Sequence, residues 1–206
     1  MAREQQRAHG TEADCAGGRV IICGTGRAGT SFLVRLLTRC GIDTGFTRED
    51  DGFSDRLRAG CELRATGWDS PAAWAKLPRV VKSPFLSVHL AAVPVPIDCV
   101  LIPVRDLRDA TDSRQRAGLL LPGVRPEELE SKLAEWLGRA VADCVTAEIP
   151  FKLIAFATIT ERPSSLYRAL RCVFPDLIGW VGFLAEYVAL SDQSKRLRTT
   201  ADSGGM

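Results

Sequence analysis

Residues 19–37 read RVIICGTGRAGTSFLVRLL, and the way this stretch changes character decides the fold. Arg19-Val20-Ile21-Ile22-Cys23 is apolar and rich in β-branched residues, the composition of a buried strand, and it stops at glycine. From Gly29-Thr30-Ser31 onward, Phe32, Leu33, Leu36, Leu37 and Cys40 recur at helical spacing until Gly41 ends the pattern. Strand, glycine turn and helix follow one another without a linker. In that context Gly24, Gly26 and Gly29 let backbone N–H groups converge on an anion, and the helix N-terminus adds partial positive charge. A tight turn carrying a solvated Arg27 is the plainer reading of the same residues.

Working outward, Arg79-Val80-Val81-Lys82 reads as a second strand closed by Ser83-Pro84, with a brief helix over 85–92 that Pro94 and Pro96 end. A short helix with Pro71 in its first turn precedes it. Ile97 to Val104 is an almost continuous apolar run, the pattern of a central parallel strand covered on both faces. A helix over 106–117, a longer one within 126–146, a strand over 151–156 and a helix over 164–172 complete the alternation. The fold expected is α/β, a P-loop-type three-layer doubly wound parallel sheet with helices on both faces. In such sheets ligands sit beyond the carboxyl ends of the strands.

With 206 residues, 46% hydrophobic and 25% charged, the chain fits one α/β domain able to bury a core. Residues 1–18 are expected to be a flexible leader, 19–190 the domain, and 191–206 a polar C-terminal tail. Net charge is only +2, so no global field argues for nucleic acid, and an anion site must come from a few placed cations. The seven cysteines are odd in number and without a CxxC pair, and only His9 and His89 accompany them. That pattern gives no support for zinc and reads as reduced thiols in a cytoplasmic protein. The leader lacks the apolar run of a signal peptide, and the apolar stretch 177–190 is too short to span a bilayer and contains Glu186. No membrane anchor is expected.

Gly24 to Ser31 copies the spacing of the P-loop pattern GxxxxGK[ST], with Thr30 in the place of the lysine. That departure counts against ATP or GTP hydrolysis. Arg27, inside the loop, offers a planar fork of donors instead. The central strand ends in Val104-Arg105-Asp106, presenting a cation where a nucleotide hydrolase commonly places a magnesium-supporting acid. Ser113 lies about two helical turns beyond Arg105 and returns to the same side. Arg108, Arg114 and Arg116 read as solvated helix charges.

The pair GTGRAGTSFL and VRDLRDATDSR resembles the two nucleotide-binding motifs of sulfotransferases that use 3′-phosphoadenosine-5′-phosphosulfate (PAPS). The resemblance spans most of residues 19–175, strongly at these motifs and loosely between them. It implies that Gly26, Arg27, Ala28, Gly29, Thr30 and Ser31 hold the 5′-phosphosulfate, that Arg105 and Ser113 hold the 3′-phosphate, and that Phe32 stands against the adenine. Val81-Lys82-Ser83-Pro84 resembles the strand-ending K-[SD]-P segment of the bacterial and tyrosyl-protein-type members, in which Lys82 would stabilise charge on the bridging oxygen. The histidine base of the cytosolic members is absent after it. The members it resembles more closely place a glutamate in the loop after the first helix. Glu49 matches by distance, with Asp50 and Asp51 beside it, and a solvated acidic loop is the competing reading. The basic–glycine segment that commonly closes over the 3′-phosphate has no evident match, and Lys195, Arg196 and Arg198 are the basic residues available to replace it.

The activity implied is sulfuryl transfer from PAPS, without a metal, to a hydroxyl or amine of a small-molecule, glycan or peptide acceptor. The alternatives are a P-loop kinase or nucleotide hydrolase, with Asp106 as its magnesium acid, and a non-catalytic nucleotide-binding protein of the same fold. Phe46, Phe53, Trp68 and Trp74 offer themselves as an acceptor pocket or as core.

Overall fold

A computed structural model describes residues 17–49, 70–119, 121 and 123–203, with side chains described as far as Gln193. The four strands are β1 (Arg19–Ile22), β2 (Val80–Lys82), β3 (Ile97–Val104) and β4 (Phe151–Ala155). They form one parallel sheet in the order β2-β1-β3-β4. Seven helices accompany them among the described residues: α1 (Thr30–Arg39), α2 (Pro71–Ala75), α3 (Leu107–Arg116), α4 (Leu129–Thr146), α5 (Phe156–Glu161), α6 (Pro163–Arg171) and α7 (Trp180–Ser203).

Side chains along a strand point alternately to its two faces, and here both faces are apolar. Val20 and Ile22 of β1, with Val80, Leu101 and Ile154, pack against Leu33, Leu36 and Leu37 of α1, Ile159 of α5, Leu166 and Leu170 of α6 and Phe183 of α7. Ile21, Val81, Val100 and Ile102 face the other way, onto Trp74 of α2, Leu86, Leu90, and Ala140 and Cys144 of α4. The result is a three-layer α/β arrangement. Leu129 and Leu133 of α4 also bury Ala110, which docks α3 on the outside of that second layer.

Strand order dictates where a crevice opens. From β1 the chain crosses to β2 on one side, and from β3 it crosses to β4 on the other, so α1 and α4 lie on opposite faces. Between β1 and β3 the direction reverses, which is where doubly wound sheets part to admit a ligand. Ile22 pairs with Lys82 and with Leu101, and Val104 with Ala155. The carboxyl ends of all four strands therefore lie at one edge.

Two segments depart from expectation. The region expected as one brief helix over 85–92 is two 3-10 turns, Pro84–Val88 and Leu90–Ala92. His89 between them has φ −136° and breaks the helical path. The last helix crosses the boundary expected at 190 and continues to Ser203, because 183–203 contains neither glycine nor proline to stop it. The leader, 1–18, lies almost wholly outside the described residues.

Replacing Leu101, fully buried on the central strand, by alanine is expected to lower the urea-unfolding free energy by about 2–5 kcal/mol. Leu153→Ala, on the edge strand and 55% exposed, should change it by no more than about 0.5 kcal/mol. Equal losses would contradict the placement of the core.

Candidate functional site

The turn from β1 into α1 is short because its backbone is left-handed at most of its positions. Gly24, Gly26, Arg27 and Gly29 have φ of 123°, 68°, 56° and 91°. Glycine adopts these angles without strain. Arg27 does not, and a left-handed L-residue costs roughly 1–2 kcal/mol, so its conformation has to be held by its surroundings.

Close approach adds a second demand for glycine. A Cβ on Gly24 would stand 3.2 Å from the Pro103 carbonyl oxygen, where the loop passes the end of β3. At Gly26 it would stand 2.7 Å from an Arg114 guanidinium nitrogen, and at Gly29 3.2 Å from Ile159 of α5. The loop thus lies directly against β3, α3 and α5.

Hydrogen bonds fix it from both sides of the crevice. The Gly24 N–H donates to Ser87 Oγ at 2.7 Å, and that hydroxyl donates back to the Gly24 carbonyl at 3.1 Å, both fully buried. Ser87 sits in the turn that follows Lys82-Ser83-Pro84, so it ties the end of β2 to the start of the glycine loop. From α3, Arg27 Nε donates to Ser113 Oγ at 3.0 Å, and Arg114 donates to the Thr25 carbonyl at 2.9 Å. From the end of β3, Arg105 makes a long hydrogen bond of 3.4 Å to the Arg27 carbonyl.

Arg105 is aimed by its own neighbours. Its guanidinium lies 4.7 Å over the Phe156 ring, the first residue of α5, and pairs loosely with Asp109 at 3.5 Å. Stacking on an aromatic face suits the planar, weakly hydrated guanidinium. Its Nε is buried without a hydrogen-bond partner. Asp106 is occupied elsewhere, its carboxylate accepting the Asp109 N–H at 3.0 Å as the N-cap of α3.

Among the described residues no carboxylate lies in the first turn of α1 and no side chain caps it at Gly29, and the helix dipole adds partial positive charge at its N-terminus. Together with Arg27 and Arg105 the N-terminus of α1 forms a donor set suited to a polyanion. Among the described residues no group of three or more His, Cys, Asp or Glu could hold a metal ion, and no helix is long and apolar enough to cross a membrane.

Sequence reasoning named most of these residues but not how they meet. Gly26, Arg27, Ala28, Gly29, Thr30 and Ser31 form the loop and the first turn of α1, and Arg105 and Ser113 both meet Arg27. Lys82 lies at the end of β2, beside β1, and is only 2% exposed. Phe32 packs edge-on against Tyr187 of α7, with ring centroids 5.5 Å apart.

Glu49 stands exposed in the turn after α1 and is joined to the loop by no hydrogen bond or ion pair among the described residues. Its neighbour Arg48 pairs with Glu186 of α7 at 2.7 Å. Asp50 and Asp51 lie outside the described residues, as do Phe53 and Trp68. Trp74 belongs to the core, Phe46 packs on its edge, and His89 lies against exposed Phe85. The side chains of Lys195, Arg196 and Arg198 are likewise undescribed.

One reading is corrected. Arg114, taken as a solvated helix charge, is 92% buried and bonds the loop, whereas Arg108 and Arg116 are exposed. A weak signal was present: Ala110, Thr111 and Arg114 share one helix face by their spacing, and that face carries Arg114 as its one charge among these three. Ser87 and Phe156 were missed and carried no comparable pattern.

No protein-family model matches the chain, and no curated protein matches its sequence. Geometry and residue chemistry therefore carry the functional argument.

The residue that leads into the loop is fully buried. Burial pushes the Cys23 thiol, next to Gly24, up to about 12 against a hydrogen bond from Ser87 that lowers it, with Cys144 adding a smaller upward effect. Below pH 9.0, the thiol's ordinary value, both folded and unfolded chains keep the proton and the contribution to stability is full. As pH rises from there towards 12 only the unfolded chain ionises, and stability is lost. Cys23→Ala should make the urea midpoint fall less steeply between about pH 9 and 10.5 than in the parent protein. An unchanged slope would refute the burial of that thiol.

Proposed function

We propose that this protein transfers a sulfuryl group from PAPS to an acceptor hydroxyl or amine. The observation that carries the reading is the meeting of Arg105 and Ser113 at Arg27, across the β1/β3 switch point. Two cationic motifs far apart in sequence come together at the edge where a P-loop-type sheet binds nucleotides. The donor set fits a phosphorylated adenosine: backbone N–H groups and Arg27 for the 5′-phosphosulfate, Arg105 and Ser113 for the 3′-phosphate, and Phe32 near the base. Arg105 Nε, buried and without a partner, is the kind of donor an anion satisfies.

Bound PAPS supplies a sulfuryl group on a phosphate leaving group, and the protein's residues orient and stabilise. Lys82, almost fully buried, places its ammonium in surroundings where charge acts more strongly than in water. Arg27 and the loop N–H groups add donors that are already in position. Glu49 or its neighbour Asp50, which lies outside the described residues, would take the acceptor's proton. No metal enters this scheme. A small molecule, glycan or peptide supplies the acceptor.

The engagement of Asp106 as a helix cap and the threonine at position 30 both weigh against a P-loop kinase or hydrolase, which needs a magnesium acid and a loop lysine.

Calorimetry is expected to show the protein binding adenosine 3′,5′-bisphosphate and PAPS, with ATP and magnesium weaker by about ten-fold or more. Arg105→Ala should weaken bisphosphate binding by about ten- to a hundred-fold, the value of a hydrogen-bonded charge. Tighter binding of magnesium-ATP would overturn the reading in favour of the kinase class.

Lys82→Met keeps the side chain's bulk and removes its charge. It should leave bisphosphate affinity within about three-fold and lower transfer of labelled sulfate to phenol, sugar or peptide acceptors by about 10²–10³. Undiminished transfer would remove Lys82 from the reaction, and no transfer by the parent protein to any acceptor would favour a binding protein.

A further inference from the structure

We infer that Arg114 is a positioning residue: it holds the glycine loop in its left-handed form from α3, so that the two anion-binding motifs act as one unit. For its ligand the inference rests on the sulfuryl-transfer reading. For its mechanics it rests on the geometry alone.

Arg114 is adjacent to Ser113, and the two reach different parts of the same loop. Ser113 Oγ accepts from Arg27 Nε at 3.0 Å, and Arg114 donates to the Thr25 carbonyl at 2.9 Å in a buried hydrogen bond. Between Thr25 and Arg27 lies Gly26, where a Cβ would stand 2.7 Å from that Arg114 nitrogen. The glycine at position 26 thus serves two purposes. It permits φ of 68° and leaves room for the guanidinium.

A buried guanidinium is costly unless its donors find acceptors, and the buried Thr25 carbonyl supplies one. The strain at Arg27 and the burial of Arg114 therefore support each other. Because α3 begins at Leu107, directly after Arg105 and its successor Asp106, a shift of α3 moves Ser113 and Arg114 together. An anion drawn to Arg105 and Ser113 thereby sets the loop that would receive the other end of the same molecule. Arg114 need touch no ligand for this. It acts through Thr25 and Gly26.

The test uses the full chain with Arg114→Gln, Gly26→Ala and the double substitution. In the ligand-free protein, amide hydrogen exchange of residues 24–30 should rise about ten-fold or more in Arg114→Gln while β3 and α4 stay within about two-fold. Gly26→Ala should displace the guanidinium and also strain the turn at φ 68°, raising exchange at least as much, and adding Arg114→Gln to it should add less than about two-fold, since the interaction is already lost. Arg114→Lys, which keeps a donor, should restore part of the protection. An unchanged loop, a uniform rise across the sheet, or fully additive effects would overturn the proposal.

Calorimetry with adenosine 3′,5′-bisphosphate and with 3′-AMP supplies the second readout. In Arg114→Gln the bisphosphate should lose about ten-fold in affinity and 3′-AMP, which lacks the loop-side phosphate, no more than about two-fold. Equal losses would make Arg114 merely structural. If the parent protein binds neither nucleotide, the sulfotransferase reading fails, and the exchange experiment still decides the role of Arg114.

Discussion

The structure depends on a conformation that an arginine would not choose. Between β1 and α1 the chain reverses through a run of left-handed residues, and Arg27 is the one among them with a side chain to strain. A cost of roughly 1–2 kcal/mol at that residue is small beside a whole domain's interactions, yet it is a large fraction of a net stability of about 5–15 kcal/mol. It persists because three separate elements converge on the turn. Ser87 fastens its first residue, Arg114 its second, and Ser113 and Arg105 the arginine itself.

Those contacts come from both sides of the β1/β3 switch point, which gives the crevice a mechanical property as well as a place. Ser87 belongs to the layer following β2, and Ser113 and Arg114 to α3, beyond β3. The glycine loop is spanned between them, with the sheet edge beneath it. Phe156, at the start of α5, carries Arg105, and Ile159 of the same helix limits the space at Gly29. Every element that follows a strand thus touches the loop, and its geometry depends on the whole sheet edge.

The fold was legible because its signals are local and repeated. Apolar strands ending in glycine or arginine, and helices with apolar residues three and four apart, announce a parallel sheet covered on both sides before any contact is known. The separated motifs were legible for the same reason, as residues placed directly after strands. What escaped depends on side chains whose partners are distant in sequence. Ser87 looks like any small residue in a turn until the chain brings Gly24 against it, 63 positions away. Arg114 carries a charge that reads as solvent-facing, and only its sharing a helix face with Ala110 and Thr111 hints otherwise. Polar residues beyond Leu190 suggested a tail, but polarity alone does not end a helix that meets no glycine or proline.

Local placement also explains how a chain of net charge +2 gathers Arg27, Lys82, Arg105 and Arg114 at the carboxyl ends of its strands. Among the described residues, the acidic side chains of α3 near the loop are held by their own element. Asp106 caps α3, and Asp109 pairs loosely with Arg105 while 61% exposed, so that solvent screens it. Across the molecule Asp43 accepts from the backbone of Gly45 and Arg79, and Glu186 pairs with Arg48. Of the cations at the crevice Arg27 is exposed, whereas the others are half or fully buried. Arg105 is 22% exposed, and Lys82 and Arg114 are nearly closed off. Burial weakens screening and so raises the local potential without changing the total. The selectivity for an anion proposed at this edge would follow from which charges are kept out of water, and the glycine loop lies directly against Arg114 and Arg105.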